Sequence, residues 1–270
     1  MTKAEAEKIV AKLSAMICDA HVHVGWYNYR GSSVLKYYSP RRVIGVLNRC
    51  GVDEWIVSST SAQAAGITNE GLLSEAREVK RLAGNRAHVF CWLTWDLYRR
   101  DPSLSVLNGG MYEGIKLHEM EGHWIEWHKA ELECVLNRAE EIGIPVQFHS
   151  GVDDFCRPAT LMIFAQWYPK VRFNFSHCRL MGETAAVIER CPNVWADTAC
   201  LSQEDFKRIG NYDWKGRLMF GTDLPAYQAH ADVSLTQFYR ECLKWYTLTG
   251  CDGQKAFSSF LRGKDGSRHE

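Results

Sequence analysis

The sequence has no excess of either charge: 32 Lys and Arg stand against 32 Asp and Glu. A nucleic-acid-binding role, which usually shows a basic excess or stripe, is therefore not expected. No apolar run approaches the roughly 18 residues of a membrane-spanning helix, so no membrane contact is expected either. The first 17 residues are charged and helix-like and lack the apolar centre of a secretory signal. Prolines are few, 7 beside 21 glycines in 270 residues, which excludes collagen-like and Pro-rich disordered classes. The 10 cysteines include no C-x-x-C pair, so neither a Cys-rich zinc finger nor a disulfide scaffold fits. They are expected to be reduced, mostly buried thiols of a cytoplasmic protein. No linker, low-complexity tract or charge block divides the chain.

What is present is a coarse repeat of a short apolar run, a turn and a helical pattern. The runs lie at 16–20, 54–58, 88–95, 114–118, 144–149, 171–177, 193–197 and 217–223. Their apolar content is nearly continuous, as in parallel strands covered on both faces. Helical patterns lie between most of them. Pro40–Arg49 follows a Ser-Pro start. Asn69–Ala83 and Lys129–Ile142 each carry an apolar stripe, the latter ending at Gly143. Further helices are expected at 158–168, 183–190, 203–209 and 232–248, with only a short helical piece between 96 and 110. Eight strands alternating with helices predict a (β/α)8 TIM barrel, with a doubly wound sheet as the alternative. The strand-to-strand step of about 29 residues favours the barrel, whose usual step is about 31. The expectation is a single α/β domain over 1–270, a barrel core at about 16–250, and extra helices at both ends of the chain.

Polar residues concentrate where these runs end. The first run leads into Asp19-Ala20-His21-Val22-His23, and residues two apart in a strand share a face. The fifth run ends at His149, the sixth at His177 and the eighth at Asp223. Barrel active sites are built at this C-terminal rim. A lone strand-end histidine is most often a hydrogen-bonded core residue. Four imidazoles and a carboxylate from four strands are instead a ligand set suited to zinc, iron, manganese or nickel.

The pieces DAHVH, GIKLH, FHSG, FSHC and GTDLP, in this order from Asp19 to Pro225, resemble the amidohydrolase superfamily. They are most similar to the amidohydrolase-related branch of metal-dependent barrels that includes aminocarboxymuconate-semialdehyde decarboxylase. The resemblance implies His21, His23, His149 and Asp223 as ligands of one divalent ion, zinc first among zinc, manganese, iron and nickel. It implies His177 and Asp223 as catalytic groups that handle protons. It leaves open a second metal, which would need a bridging group such as a carboxylated Lys116. Lys116 with a free ammonium would instead hold a substrate carboxylate. His118, Arg157, Arg179 and Trp26 are further candidates for substrate contact. One departure stands out: the family's glycines after the sixth-strand histidine are replaced here by Cys178-Arg179-Leu180-Met181.

Asp197 could orient a ligating imidazole or cap a helix. Cys156 and Cys178 lie near the rim, but nothing places a base beside either for nucleophilic catalysis. The implied activity is hydrolysis of an amide, ester or lactone of a small, carboxylated molecule. Decarboxylation or hydration of such a molecule is the alternative, and an inactive metal-binding barrel a further one. Homodimers, common in the family, are the assembly to expect.

Overall fold

The structure, a computed structural model, describes residues 16–28, 35–64, 66–225 and 234–263. The expected helix at 2–15 and the start of that at 232–248 lie outside these residues. The strands are β1 (Cys18–Asn28), β2 (Leu35–Tyr38), β3 (Glu54–Ser59), β4 (Ala87–Trp92), β5 (Gly114–Leu117), β6 (Val146–His149), β7 (Phe173–Ser176), β8 (Val194–Asp197) and β9 (Leu218–Met219). From β1 through β3 to β9 each pairs in parallel with the next in sequence. Backbone hydrogen bonds then tie the end of the sheet to its start: Ala20 N donates to Phe220 O at 2.8 Å, Asp223 N to His21 O at 2.8 Å and His23 N to Leu224 O at 2.7 Å. The sheet is thus curled into the expected barrel. All eight expected strands are present. β2, which no apolar run announced, is a four-residue strand lying antiparallel on the far end of β1.

Register sorts the side chains. Val57, Val89, Ile115, Leu117, Val146, Phe148, Phe173, Phe175, Val194 and Ala196 face outward into the main core, under the helices. Ile56, Phe90, Trp195 and Met219 face inward and form a second cluster with Cys18 and Ala20. That cluster is closed by Ala256, Phe257 and Phe260 of the helix Gly253–Arg262, the expected C-terminal helix. Phe90 fits inside because its neighbour on β5 is Gly114, where a Cβ would sit 2.5 Å from the ring. Along β1 the pairing with β3 slips by one residue between Asp19 and Val22. Such a bulge re-aims side chains. It lets Ala20 face the lower interior while His21 and His23 both face the upper one.

Local signals set the helices. Ser39 accepts from Arg42 N ahead of Pro40, and Gly143 ends Lys129–Ile142 in the left-handed region at φ 72°. The helices Asn69–Ala83, Pro158–Trp167, Met181–Arg190, Gln203–Ile209 and Leu235–Thr249 occupy the expected places, and the short piece is Trp95–Arg100. No described helix is long and apolar enough to cross a membrane.

Candidate metal centre

At the C-terminal mouth, six rings from the ends of five strands form a closed circle. In order they are Trp92, His118, His149, His177, His21 and His23, with neighbouring centroids 3.9–5.8 Å apart. Lys116 rises among them, 1% exposed. Its ammonium lies 3.3 Å from His21 Nε2, donates to Ser176 Oγ at 3.4 Å, and sits 5.8 Å from the Trp92 ring centre. Burial pulls the lysine pKa down to about 8, against the raising influence of Asp197 and Asp223.

His21, His23 and Asp223 meet at one point. His21 Nε2 and His23 Nε2 are 3.1 Å apart, and Asp223 Oδ1 lies 2.9 Å from His23 Nε2 and 3.6 Å from His21 Nε2. The protons can be placed from the partners. His21 Nδ1 faces Asp197 Oδ2 at 3.1 Å, an acceptor only, so Nδ1 carries the hydrogen and Nε2 a lone pair. His177 Nδ1 faces the Ala199 carbonyl at 3.3 Å, which fixes the same tautomer. Its Nε2 therefore accepts from His149 Nδ1, 2.9 Å away. His23 Nδ1 is held by Ser58, 3.1 Å from the hydroxyl and 3.3 Å from the carbonyl.

The charge states agree. Burial lowers His23, His149 and His177, the last to about 3, so these imidazoles are neutral at pH 7. Burial alone would raise Asp223, yet its hydrogen bond with His23 and the surrounding imidazoles hold it well below the usual carboxylate range. A carboxylate oxygen and two ring nitrogens thus converge at a buried point beside the Lys116 ammonium. Such a donor set fits a divalent cation.

Asp197 organises the layer beneath. It accepts from His21 Nδ1, from Asn174 Nδ2 at 2.8 Å, from Gln147 Nε2 at 3.4 Å, and from the backbone N–H of His177 and Ala199, each at 3.0 Å. These donors outweigh the cost of burial and hold it as a carboxylate far below the usual range. Asp19 acts at the seam of the barrel. It accepts from His21 N at 2.9 Å, Thr222 Oγ1 at 2.7 Å and Thr222 N at 3.2 Å, so the first strand grips the loop that carries Asp223. Burial nevertheless raises Asp19 to about 7. His177 and Asp223 themselves sit at φ 75° and 59°. Left-handed backbone of this kind collects at functional sites, and Asp and His tolerate it better than most.

The other candidates are distributed unevenly. His118 stacks between Trp92 and His149. His149 contacts His177 rather than the meeting point of His21, His23 and Asp223, and among the described residues no close trio of metal donors includes it. Arg179 lies near enough to the Cys200 thiol to act on it electrostatically. Arg157 does not join the cluster: it pairs with Glu183 at 2.8 Å, joining the start of the helix Pro158–Trp167 to that of Met181–Arg190. Trp26 also stays out, 42% exposed with its ring against Tyr37 on β2. Cys156 and Cys178 are buried thiols whose pKa values burial raises. Sequence reasoning missed Gln147, Asn174, Ser58 and Cys200. For the first two a signal existed, a polar residue at an inward position of an otherwise apolar strand, one layer below His149 and Ser176. Cys200 gave none.

The amidohydrolase family model matches residues 106–246, just over half the chain, a span that includes Lys116, His149, His177 and Asp223. The chain belongs to the amidohydrolase family. No curated protein matches it. Among solved structures it is similar to a probable 2-pyrone-4,6-dicarboxylic acid hydrolase of Acinetobacter baumannii with citric acid bound, at TM-score 0.65 and 11% identity over 91% of this chain and 98% of that one. It is also similar to an amidohydrolase of Burkholderia multivorans with bound zinc, at TM-score 0.64 and 12% identity over 92% and 99%. A third likeness is to amidohydrolase 2 of Bifidobacterium longum subsp. infantis, at TM-score 0.60 and 12% identity over 92% and 99%. At these identities the likeness is one of fold.

Proposed function

We propose that this amidohydrolase is a metal-dependent hydrolase that activates water for attack on an amide, ester or lactone carbonyl of a small, carboxylated substrate. The observation that carries this reading is the convergence of His21 Nε2, His23 Nε2 and Asp223 Oδ1 at the buried C-terminal mouth. These residues would hold one divalent ion, zinc before manganese, iron or nickel, with His149 as a further ligand on rotation of its ring. The bound ion supplies Lewis acidity, which polarises a carbonyl and acidifies water. Asp223, ionised at neutral pH, takes the proton of the attacking water at a carboxylate oxygen. His177, neutral with a lone pair on Nε2, would receive that proton at this nitrogen and pass it to the leaving group, within reach of His149. The Lys116 ammonium holds a substrate carboxylate or the developing oxyanion, with His118 and Arg179 on the rim. The citric acid bound to the Acinetobacter protein and the zinc bound to the Burkholderia protein agree with such a substrate and such an ion.

Decarboxylation is the second reading, favoured by the position of Lys116: an ammonium 3.3 Å from His21 Nε2 would pin a carboxylate beside the reacting carbon. Metal content by plasma mass spectrometry, on protein purified without added metal, tests the first claim. About one ion per chain is the expected result. No metal, with no uptake when metal is added, rejects it. Product analysis over a panel of lactones and carboxylated rings then separates ring opening from release of carbon dioxide.

A further inference from the structure

Trp92, at the end of β4, shares the inward face of Phe90 and stands opposite Lys116 in the register of β4 and β5. It is 5% exposed, and among the described residues its indole Nε1 has no acceptor. A buried indole N–H usually finds one. The ring is fixed on two sides, nearly parallel to His118 with centroids 5.8 Å apart, and 5.1 Å from the centre of His23. The Lys116 ammonium lies 5.8 Å from the indole ring centre. That ammonium has three hydrogens. Two long contacts, to His21 Nε2 at 3.3 Å and Ser176 Oγ at 3.4 Å, take up two of them. We propose that the Trp92 N–H and the Lys116 ammonium clamp one carboxylate of the substrate between them, which makes Trp92 a specificity-determining residue. This inference rests on the reading above that the substrate is carboxylated, and adds to Lys116 a second group that recognises it.

Indole and ammonium are both donors only, so the pair calls for an acceptor that brings no hydrogen of its own. A carboxylate offers one oxygen to each donor and can bridge them with hydrogen bonds of about 2.9 Å. Its charge answers the ammonium, and a hydrogen bond to an ionised acceptor is stronger than one between neutral groups. The indole adds the direction that the ammonium lacks. An ammonium on a flexible stem holds an anion as a point charge, whereas an N–H on a ring fixed by two neighbours favours one orientation. In the circle of six rings Trp92 stands opposite His177, three places away in either direction. A carboxylate held at Trp92 therefore leaves the rest of the substrate to extend across the mouth toward His177.

Calorimetric titration of the full-length protein with acetate, malonate and isophthalate, each beside its neutral amide, tests the clamp without turnover. Wild type is expected to bind at least one of the acids in preference to its amide. Trp92→Phe keeps a ring for the stack and removes the N–H. It is expected to bind that acid about 10- to 100-fold more weakly, the effect of one hydrogen bond to a charged group, and the amide no differently. If the variant does not fold, the indole N–H signals of wild type with isotope-labelled tryptophan decide: one of the 10 is expected to move downfield with the acid and not with the amide. Equal affinity of variant and wild type for the acid, or no indole signal that moves, overturns the clamp alone. Wild type that binds none of the acids overturns the clamp and, with it, the reading of a carboxylated substrate.

Discussion

At the N-terminal mouth of the barrel the strands present Ile56, Phe90, Trp195 and Met219 to the aromatic plug of the closing helix. At the C-terminal mouth, two or more residues further along, strands β3, β4 and β8 present Ser58, Trp92 and Asp197, and the turn after β9 presents Asp223. The charges at the lower rim are matched. His88 lies between Glu113 at 2.7 Å and Glu54 at 3.1 Å, Lys80 pairs with Glu113, and Arg262 reaches Glu54 at 3.4 Å. The upper mouth instead gathers imidazoles, the Asp223 carboxylate and the Lys116 ammonium within hydrogen-bond reach of one another. The contrast teaches that one end of the barrel is packed to close the fold, while the other gathers the polar side chains.

Asp223→Asn attacks the upper mouth most directly. Loss of the carboxylate is expected to lower kcat/KM by about 10²–10⁴, and His177→Asn similarly if it moves protons, while both keep a near-normal melting temperature. Unchanged turnover in the Asp223 variant would remove its proton-transfer role. Phe257→Ala is the counterpart below. Emptying a fully buried ring should cost about 3–5 kcal/mol of stability in urea unfolding, with kcat per folded molecule little changed. An equal fall in kcat would mean that the two ends are not separable.

Glu113→Gln sharpens the comparison through pH. Burial would raise Glu113, but hydrogen bonds from His88 and Lys80 outweigh it and hold the carboxyl at about 2, below its ordinary 4.5. A depressed carboxylate stabilises the fold fully above its unfolded pKa and loses that contribution as pH falls toward its folded one. The stability gap between wild type and variant, about 1 kcal/mol at pH 7 after allowance for the partial exposure of Glu113, should therefore close between pH 4.5 and about 2. A gap independent of pH across that window would contradict the ion-pair account. Smallest of all is Arg157→Ala: with the guanidinium paired to Glu183 on the surface, KM should stay within about twofold and the melting temperature should hardly change. A large rise in KM would bring Arg157 back as a substrate contact.

Much of the architecture was legible because its signals are local. Continuous apolar runs marked the eight parallel strands, since a strand covered on both faces has no polar side to alternate with. Ser39 with Pro40, and Gly143, marked helix ends through their own backbone preferences. β2 was not legible: three of its four residues are exposed and no buried face imposes a pattern. The polar strand ends His21, His23, His149 and Asp223, with His177 just beyond β7, could be read as one rim because position along a parallel strand fixes height in the barrel.

Which atoms meet across that rim was decided only by the tertiary structure. The slip between β1 and β3 turns His21 inward, and Asp197, 176 residues away, sets its tautomer. Register pairs His149 with Ser176 and leaves its ring on His177, not beside His21. Cys200 reaches Asp223 only because two turns, each held at a positive φ, end side by side. The sequence by itself therefore determined the kinds of donor and the end of the barrel where they gather, since both follow from residue type and strand order. Their partners depended on closure of the barrel, because distances between strands far apart in the chain are set by register, bulges and packing that no local pattern encodes.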